Sequence, residues 1–109
     1  MSTEEDKLAR QLWALGDSVR LKILRRIPRT PYDCKEWNVS KLAEELKLSQ
    51  PTISHHLKIL RQAGIVSYKK KCRDCYYWIR EEDTETIIES MKDLLQQNIP
   101  CSNRKSTDS

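Results

Sequence analysis

Residues 49–79 read SQPTISHHLKILRQAGIVSYKKKCRDCYYWI, and two different periodicities meet in this stretch. Ser49 can cap a helix that starts here. In that helix Ile53, Leu57 and Leu60 fall within about 60° of one another, as a buried stripe should. In the second half, β-branched and aromatic residues flank a polar tip, which predicts a β-hairpin. The stretch therefore predicts a helix that leads into a two-stranded basic hairpin.

A shorter helix precedes this one. Ser40 can cap the run LAEEL, in which Leu42, Ala43 and Leu46 face inward. A three-residue turn then leads to Ser49. Two short helices joined by so tight a turn predict a helix-turn-helix, and the hairpin adds a wing to it.

Further helices complete the predicted fold on both sides of this motif. Upstream, Ser2 with Glu5 three residues on has the form of a capping box, and leucines at helical spacing predict a first helix that ends near Leu15. Asp17 or Ser18 can cap a second helix. Downstream, Asp83 or Thr84 begins a last helix with more apolar positions than one domain face needs, and a second copy of the chain can cover the surplus. We therefore expect a mainly α protein with a small β-hairpin, a winged helix-turn-helix that is dimeric through its first and last helices. The apolar positions of the last helix are Ile87, Ile88, Met91, Leu94, Leu95 and Ile99.

Length and composition agree with a small homodimeric protein. The chain has 109 residues, of which 33% are charged and 38% hydrophobic, so one protomer has a thin core. We expect one winged-helix and dimerisation domain over residues 1–100 and a flexible tail, CSNRKSTDS, over residues 101–109. No basic leader with an apolar stretch and no bilayer-length run is present, which predicts a soluble cytoplasmic protein without a membrane partner.

Basic residues are concentrated in the predicted wing. The formal net charge is only +4, but four cations crowd into residues 69–73, directly after the predicted recognition helix. Such a local cluster is typical of a surface that holds nucleic-acid phosphates. The cations are Lys69, Lys70, Lys71 and Arg73.

The outward side of the recognition helix carries side chains that can read DNA. Hydroxyl, imidazole and ammonium groups are the donors and acceptors that contact base edges and phosphates in a major groove. His56 instead lies on the shoulder of the buried stripe, and we expect it to be a partly buried, hydrogen-bonded structural residue. Besides the wing cations, the predicted DNA-contacting residues are Ser49, Gln50, Thr52, Ser54, His55 and Lys58.

Four cysteines form the second group of candidate site residues. Cys72 and Cys75 flank Arg73 and Asp74, so a two-residue turn at positions 73 and 74 would make the two thiols cross-strand neighbours. They could share a soft ion, or form a disulfide if oxidised. A thiol pair is half of a tetrahedral site, so the further candidate ligands are Cys34 and Cys101, either of which could come from a second subunit.

The sequence resembles the arsenical-repressor (ArsR/SmtB) family of winged-helix regulators. The resemblance rests on VSKLAEELKLSQPTISHHLKILRQAGIVSYKKKCRDCYYWI with ALGDSVRLKIL upstream, and it covers nearly everything from Leu12 to Ile99. It implies a dimeric transcriptional repressor that leaves its operator when a metal or metalloid binds. It also implies that the base-reading positions are Gln50, Thr52, Ser54 and His55.

The chain departs from the family pattern at both of the family's common metal sites. The thiolate motif ELCVCDLA is replaced by EWNVSKLA, which has no cysteine. The site on the last helix, DxH followed by HxxE or HxxH, falls here on Glu81, Asp83, Leu94 and Gln97. Lys47 and Cys72 also stand where the family has glycine, at positions that favour a positive φ.

We predict a sequence-specific DNA-binding transcriptional repressor. Its partners are double-stranded operator DNA and a second copy of the chain. Its operator affinity falls when a soft metal or metalloid, such as arsenite, zinc or cadmium, binds through thiolates that include the wing pair; no cofactor is obligatory. The alternatives are a thiol–disulfide switch at the wing of the same repressor, a purely structural metal ion, and a winged-helix domain used for protein contact.

An enzyme is not expected. The chain has only two glycines, which leaves no glycine-rich phosphate loop, and it has no HExxH motif. No nucleophile has an evident base and orienting partner beside it in the sequence.

Overall fold

The computed structural model describes residues 3–30, 37–71 and 73–96. In these residues the helix-turn-helix and its wing follow two helices and precede a longer one, and the predicted fold class, mainly α with a winged helix-turn-helix, is confirmed. The elements in chain order are α1 (Glu4–Leu15), α2 (Ser18–Arg26), α3 (Val39–Leu46), α4 (Gln50–Gln62), β1 (Val66–Lys71), β2 (Asp74–Ile79) and α5 (Glu81–Gln96).

The core lies beneath the helix-turn-helix. The predicted stripe of α4, Ile53, Leu57 and Leu60, has no solvent exposure. Leu42 of α3 and Ile23 of α2 are also fully buried and belong to the same cluster. Because α4 is buried along one side only, its opposite side is left for contacts outside the protomer.

Three helix starts differ from the predicted ones. Thr3 caps α1 and forms a capping box with Asp6. Asn38 rather than Ser40 caps α3, because its side chain accepts a hydrogen bond from the Lys41 amide at 2.8 Å. The third difference concerns α5, which begins at Glu81, whereas the sequence predicts Asp83 or Thr84 as the cap of this helix.

Tertiary pairing explains the start of α3. Asn38 forms an isolated antiparallel bridge with Tyr76 of β2, and the Tyr77 amide donates to the Trp37 carbonyl at 3.3 Å. This short extended piece ends at Asn38, and α3 begins at the next residue. The helix starts where its preceding residue is fixed against the wing.

The wing register differs from the predicted one. Lys71 lies opposite Asp74, and the cross-strand partner of Cys75 is Lys70. The predicted partner, Cys72, lies outside the described residues. The observed register also pairs Val66 with Ile79, two residues that are almost completely buried. Pairing these two at the base of the hairpin is the physical reason for the difference, since a slipped register would place Val66 opposite a charged residue.

Apolar side chains remain exposed on α5. Ile87 is buried against the core, but Ile88, Leu94 and Leu95 are 52%, 52% and 68% exposed. The predicted surplus of apolar positions on this helix is present in the structure. Among the described residues, no helix has the length and apolar character needed to cross a bilayer.

Candidate nucleic-acid interface

The exposed side of α4 carries most of the helix residues that the sequence predicts to contact DNA. Gln50, Ser54, His55 and Lys58 are exposed, and Thr52 is half-buried. Because the buried stripe lies on the other side, these polar groups form an uninterrupted outward row along the first half of the helix.

The start of α4 is held by two hydroxyls. Ser49 is the N-cap, and its Oγ accepts a hydrogen bond from the Thr52 amide at 3.3 Å. The two hydroxyl oxygens of Ser49 and Thr52 are also within hydrogen-bond distance, 2.8 Å. Both predicted contact residues therefore order the start of the helix.

All four wing cations are exposed. Lys69, Lys70 and Lys71 occupy the outer half of β1, and Arg73 follows in the connection to β2. The four cations follow α4 in sequence, and as exposed groups they are available to an external anion.

A cation–π contact joins α4 to the wing. The guanidinium of Arg61, near the end of α4, lies 5.2 Å from the centre of the Tyr68 ring on β1. Tyr68 in turn lies opposite Tyr77 on β2, with 5.6 Å between the ring centres. This stack links the recognition helix to the wing, and sequence reasoning missed it because each residue alone looks like a surface residue.

Arg20 is a second residue that sequence reasoning missed. It is 6% exposed, and its Nε donates to the Ala14 carbonyl at 2.6 Å. A second nitrogen donates to the Trp13 carbonyl at 3.4 Å, and the guanidinium lies 5.0 Å from the Trp13 ring centre. Arg20 thus gives a donor to the Ala14 carbonyl at the end of α1, where a helix leaves carbonyls without partners of its own, and adds a second donor to the Trp13 carbonyl, which also accepts the Gly16 amide.

The same guanidinium reaches the recognition helix. Arg20 lies 3.1 Å from Nδ1 of His56, and the Asp17 carboxylate lies 3.8 Å from the same nitrogen. The prediction that His56 is a partly buried, hydrogen-bonded structural residue is confirmed. As a donor, the arginine requires Nδ1 to be an acceptor, so the neutral imidazole with its proton on Nε2 fits this network.

Burial lowers the pKa of His56 below its ordinary value of 6.5, and the nearby Asp17 carboxylate only partly opposes this effect. The pKa of Asp17 is also lowered, mainly because its carboxylate caps α2 by accepting the Arg20 amide. Both shifts favour the same arrangement, a neutral imidazole beside an ionised carboxylate and a guanidinium.

The described residues hold one of the four candidate cysteines. Cys75 is half-buried on β2, on the same face of the hairpin as Tyr77 and opposite Lys70. Cys34, Cys72 and Cys101 lie outside the described residues. Within residues 3–30, 37–71 and 73–96, no group of three or more histidine, cysteine or carboxylate side chains comes close enough to hold a metal ion.

Comparisons with known proteins identify the family. Residues 17–68 match the model of the family described as "Bacterial regulatory protein, arsR family". An arsenical resistance operon repressor of Staphylococcus aureus is 32% identical over 104 residues, which cover 94% of this chain and 95% of the relative. The chain belongs to the ArsR family. It is a winged-helix, DNA-binding transcriptional repressor of that family, which confirms the family predicted from the sequence and agrees with the expectation of a non-enzyme.

Two further relatives agree with this assignment. An uncharacterised helix-turn-helix transcriptional regulator of Methanocaldococcus jannaschii is 39% identical over 89 residues, covering 82% of this chain and 96% of the relative. Among solved structures, an ArsR-like transcriptional regulator from Rhodococcus sp. RHA1 superposes with a TM-score of 0.67 at 26% identity. That match covers 81% of this ArsR-family chain and 78% of the Rhodococcus chain.

Proposed function

We propose that this ArsR-family protein binds its operator as a homodimer, with α4 of each protomer in the major groove and the wing on the adjacent backbone. The observation that carries the proposal is the outward polar row of α4, which lies opposite the buried stripe, together with the exposed cations of the wing that follows this helix.

The two elements have different roles in this proposal. Amide, hydroxyl and imidazole groups of Gln50, Ser54 and His55 have the chemistry to distinguish base edges, whereas Thr52 and Ser49 order the start of the helix and can reach phosphates. The wing lysines contribute affinity without sequence information. Lys58, one turn further along α4, lies at the end of the outward row, and its ammonium group is suited to contact the DNA backbone.

A selection from a randomised duplex pool tests this division. We expect the purified protein to enrich one sequence and to bind it at least about 1000-fold more tightly than random duplex at physiological salt. Gln50→Ala should lose about 1–3 kcal/mol of that preference and relax selectivity at one base position. Lys41→Ala, an exposed change on α3, is the control. A protein that enriches no sequence would overturn the proposal.

The dimer in this proposal forms through α1 and α5. The support is the exposed apolar side of α5, where Ile88, the half-buried Met91 and Leu95 follow one another at helical spacing. Exposed leucine and isoleucine side chains at such spacing are typical of a helix that packs on a second subunit.

We further propose that soft-ligand binding at the wing releases the operator. The support is a thiol, Cys75, in the wing itself and next to the lysines that would face phosphates, together with a relative named for arsenical resistance. Cys72 would be a second ligand, with Cys34 and Cys101 as further candidates. Ligation would reshape the hairpin that carries these lysines and so disturb their contacts with phosphates, which lowers affinity for the operator.

Operator binding under different ligand and redox conditions tests this step. Arsenite, Zn²⁺ and Cd²⁺ are each titrated against the protein–operator complex under anaerobic, reducing conditions, for the wild type and for Cys75→Ser. We expect about 5- to 150-fold weaker binding at saturation in the wild type only. Release by hydrogen peroxide but by none of the three ions would favour the alternative thiol–disulfide switch. Unchanged affinity in every condition would reject regulation through the cysteines.

A further inference from the structure

A groove of about 520 Å³ separates α1 from α4, away from the wing. One wall is formed by α1, with Lys7, Arg10 and Trp13, and the other by α4, with His55, Ile59 and Ala63. Its volume lies within the range of about 300–1000 Å³ that is typical of small-molecule sites. Neither the DNA-binding role of α4 nor the wing cysteines account for this groove.

The lining has a distinct chemical character. Trp13 is 65% exposed and presents a flat apolar surface, which Ile59 and Ala63 face from α4. Lys7 and Arg10 supply positive charge at the α1 side, and no carboxylate is among the lining residues, although Asp6 interacts with Arg10 from outside the groove. An apolar surface with cations at one side is complementary to a flat organic anion.

We propose that the groove binds a small aromatic carboxylate and that this bound ligand lowers the affinity of α4 for DNA. The binding part stands on the groove alone, and the regulatory part rests on the proposed DNA-binding function. The ligand's ring lies against the Trp13 indole, and its carboxylate pairs with Lys7 and Arg10.

Two contacts connect the groove to the recognition helix. His55 lines the groove and also belongs to the outward row of α4, so an occupant and DNA compete for the same imidazole. Trp13 and Ala14, on the α1 side, have their carbonyls held by Arg20, which also contacts His56. A ligand that moves the end of α1 therefore acts on α4 through a continuous set of polar contacts.

Binding is tested with the full chain and no DNA, using 2-naphthoate as the probe and 2-naphthamide as its uncharged counterpart. We expect amide and indole NMR signals of Trp13, His55 and Ile59 to shift and to saturate at about millimolar 2-naphthoate. The amide should bind at least about fivefold more weakly. Shifts confined to α5, around Ile88 and Leu95, would overturn the proposal, as would the absence of any saturable shift.

A charge change inside the groove provides the matched variant. Gln62→Glu places a carboxylate in the lining at an exposed position, so folding is preserved while an anion is repelled. We expect about tenfold weaker 2-naphthoate binding. Gln96→Glu adds the same charge at an exposed position of α5 outside the groove and should leave binding unchanged. Equal effects of the two variants would contradict a site between α1 and α4.

The regulatory part is measured separately. Affinity for the selected duplex is first determined without the probe, which decides whether the proposed DNA-binding function holds. Addition of saturating 2-naphthoate should then weaken that affinity by at least about fivefold in the wild type and less in Gln62→Glu. A groove that binds 2-naphthoate while duplex affinity stays the same would overturn the regulatory part.

Discussion

Arg20 joins three helices through one side chain. It begins on α2, satisfies two carbonyls at the end of α1 and contacts His56 on α4. A buried guanidinium is stable only where its donors find acceptors, and here backbone carbonyls and an imidazole supply them. The orientation of the recognition helix relative to α1 therefore depends on this residue.

Arg20→Met should be strongly destabilising. The substitution keeps an extended apolar side chain but leaves the Ala14 carbonyl and His56 Nδ1 without this donor, while the Trp13 carbonyl keeps only its hydrogen bond from the Gly16 amide. We expect a loss of about 2–4 kcal/mol in the free energy of unfolding, measured by urea denaturation at neutral pH. Arg25→Met, at an exposed position of the same helix, should change it by less than about 0.5 kcal/mol. Similar losses in the two variants would contradict the role of Arg20.

His56 should make stability depend on pH. Its pKa in the folded protein lies below the ordinary 6.5 that applies in the unfolded chain, because burial disfavours the imidazolium. Above pH 6.5 both states are neutral and His56 has no effect on stability. As pH falls below 6.5 the unfolded state takes up the proton first, so the free energy of unfolding decreases until pH passes the lower, folded-state pKa.

The measurement compares urea denaturation of the wild type and His56→Gln between pH 7.5 and 5. We expect the wild type to lose stability through this window and the variant to lose less. His55→Gln removes an imidazole from the exposed side of the same helix and should retain the wild-type pH dependence. An identical pH profile for the wild type and His56→Gln would rule out this source of pH sensitivity.

At the scale of elements, the turn between α3 and α4 contains a backbone conformation that glycine adopts more easily. Lys47 has φ 57° and ψ 44°, in the left-handed region, and it ends α3 by donating its amide to carbonyls of the last turn. A residue with a Cβ atom in this conformation lowers the free energy of unfolding by about 1 kcal/mol relative to an unstrained one.

Lys47→Gly should therefore stabilise the protein. Relief of the left-handed strain is partly offset by the larger conformational freedom of glycine in the unfolded chain, so we expect a net gain of about 0.5–1 kcal/mol in urea denaturation. Lys47→Ala keeps the strain and removes the same charge, so it should be close to the wild type. A gain with alanine as large as with glycine would mean that charge, rather than φ, is responsible.

The wing should control the salt dependence of DNA binding. Each lysine that contacts a phosphate releases a counterion, so Lys70→Gln should reduce the slope of log affinity against log salt by about 0.9. The loss of affinity should be similar for the selected duplex and for random duplex, as measured by fluorescence anisotropy from 50 to 200 mM salt. Lys92→Gln, on α5, is the control. A change in sequence preference would assign Lys70 to base reading instead.

Local signals predicted most of the fold, and tertiary contacts decided the rest. The cap at Ser49 and the buried stripe of α4 depend on neighbouring residues, so the sequence shows them. Asn38 caps α3 because the chain is fixed against Tyr76, a residue that lies far along the sequence. The wing register follows from the burial of Val66 and Ile79 together, which alternation of residue types within each strand does not show.

As with the fold, part of the candidate site could be predicted from the sequence and part could not. Outward residues of α4 and the wing cations could be identified from helical spacing and charge. The contacts of Arg61 with Tyr68 and of Arg20 with His56 could not, because each joins elements whose packing the sequence does not state. In sequence patterns these arginines look the same as solvated ones.

At the scale of the whole molecule, α5 leaves its apolar side uncovered. Leu95→Glu should prevent dimer formation by burying a carboxylate in the proposed interface, and sedimentation velocity should show a shift to monomer with at least tenfold weaker association. Thr86→Glu adds the same charge on the opposite side of α5, where the structure leaves the side chain exposed, and should not change association. Dimers that persist in Leu95→Glu would contradict an interface through this surface.

The uncovered side of α5 also bears on how the controlled genes would respond to the amount of protein in the cell. If only the dimer binds an operator, then at concentrations where most chains are monomeric the occupied fraction of the operator rises with the square of the total copy number. While the operator is far from saturated, doubling expression would then raise occupancy about fourfold, and halving it would lower occupancy to about a quarter.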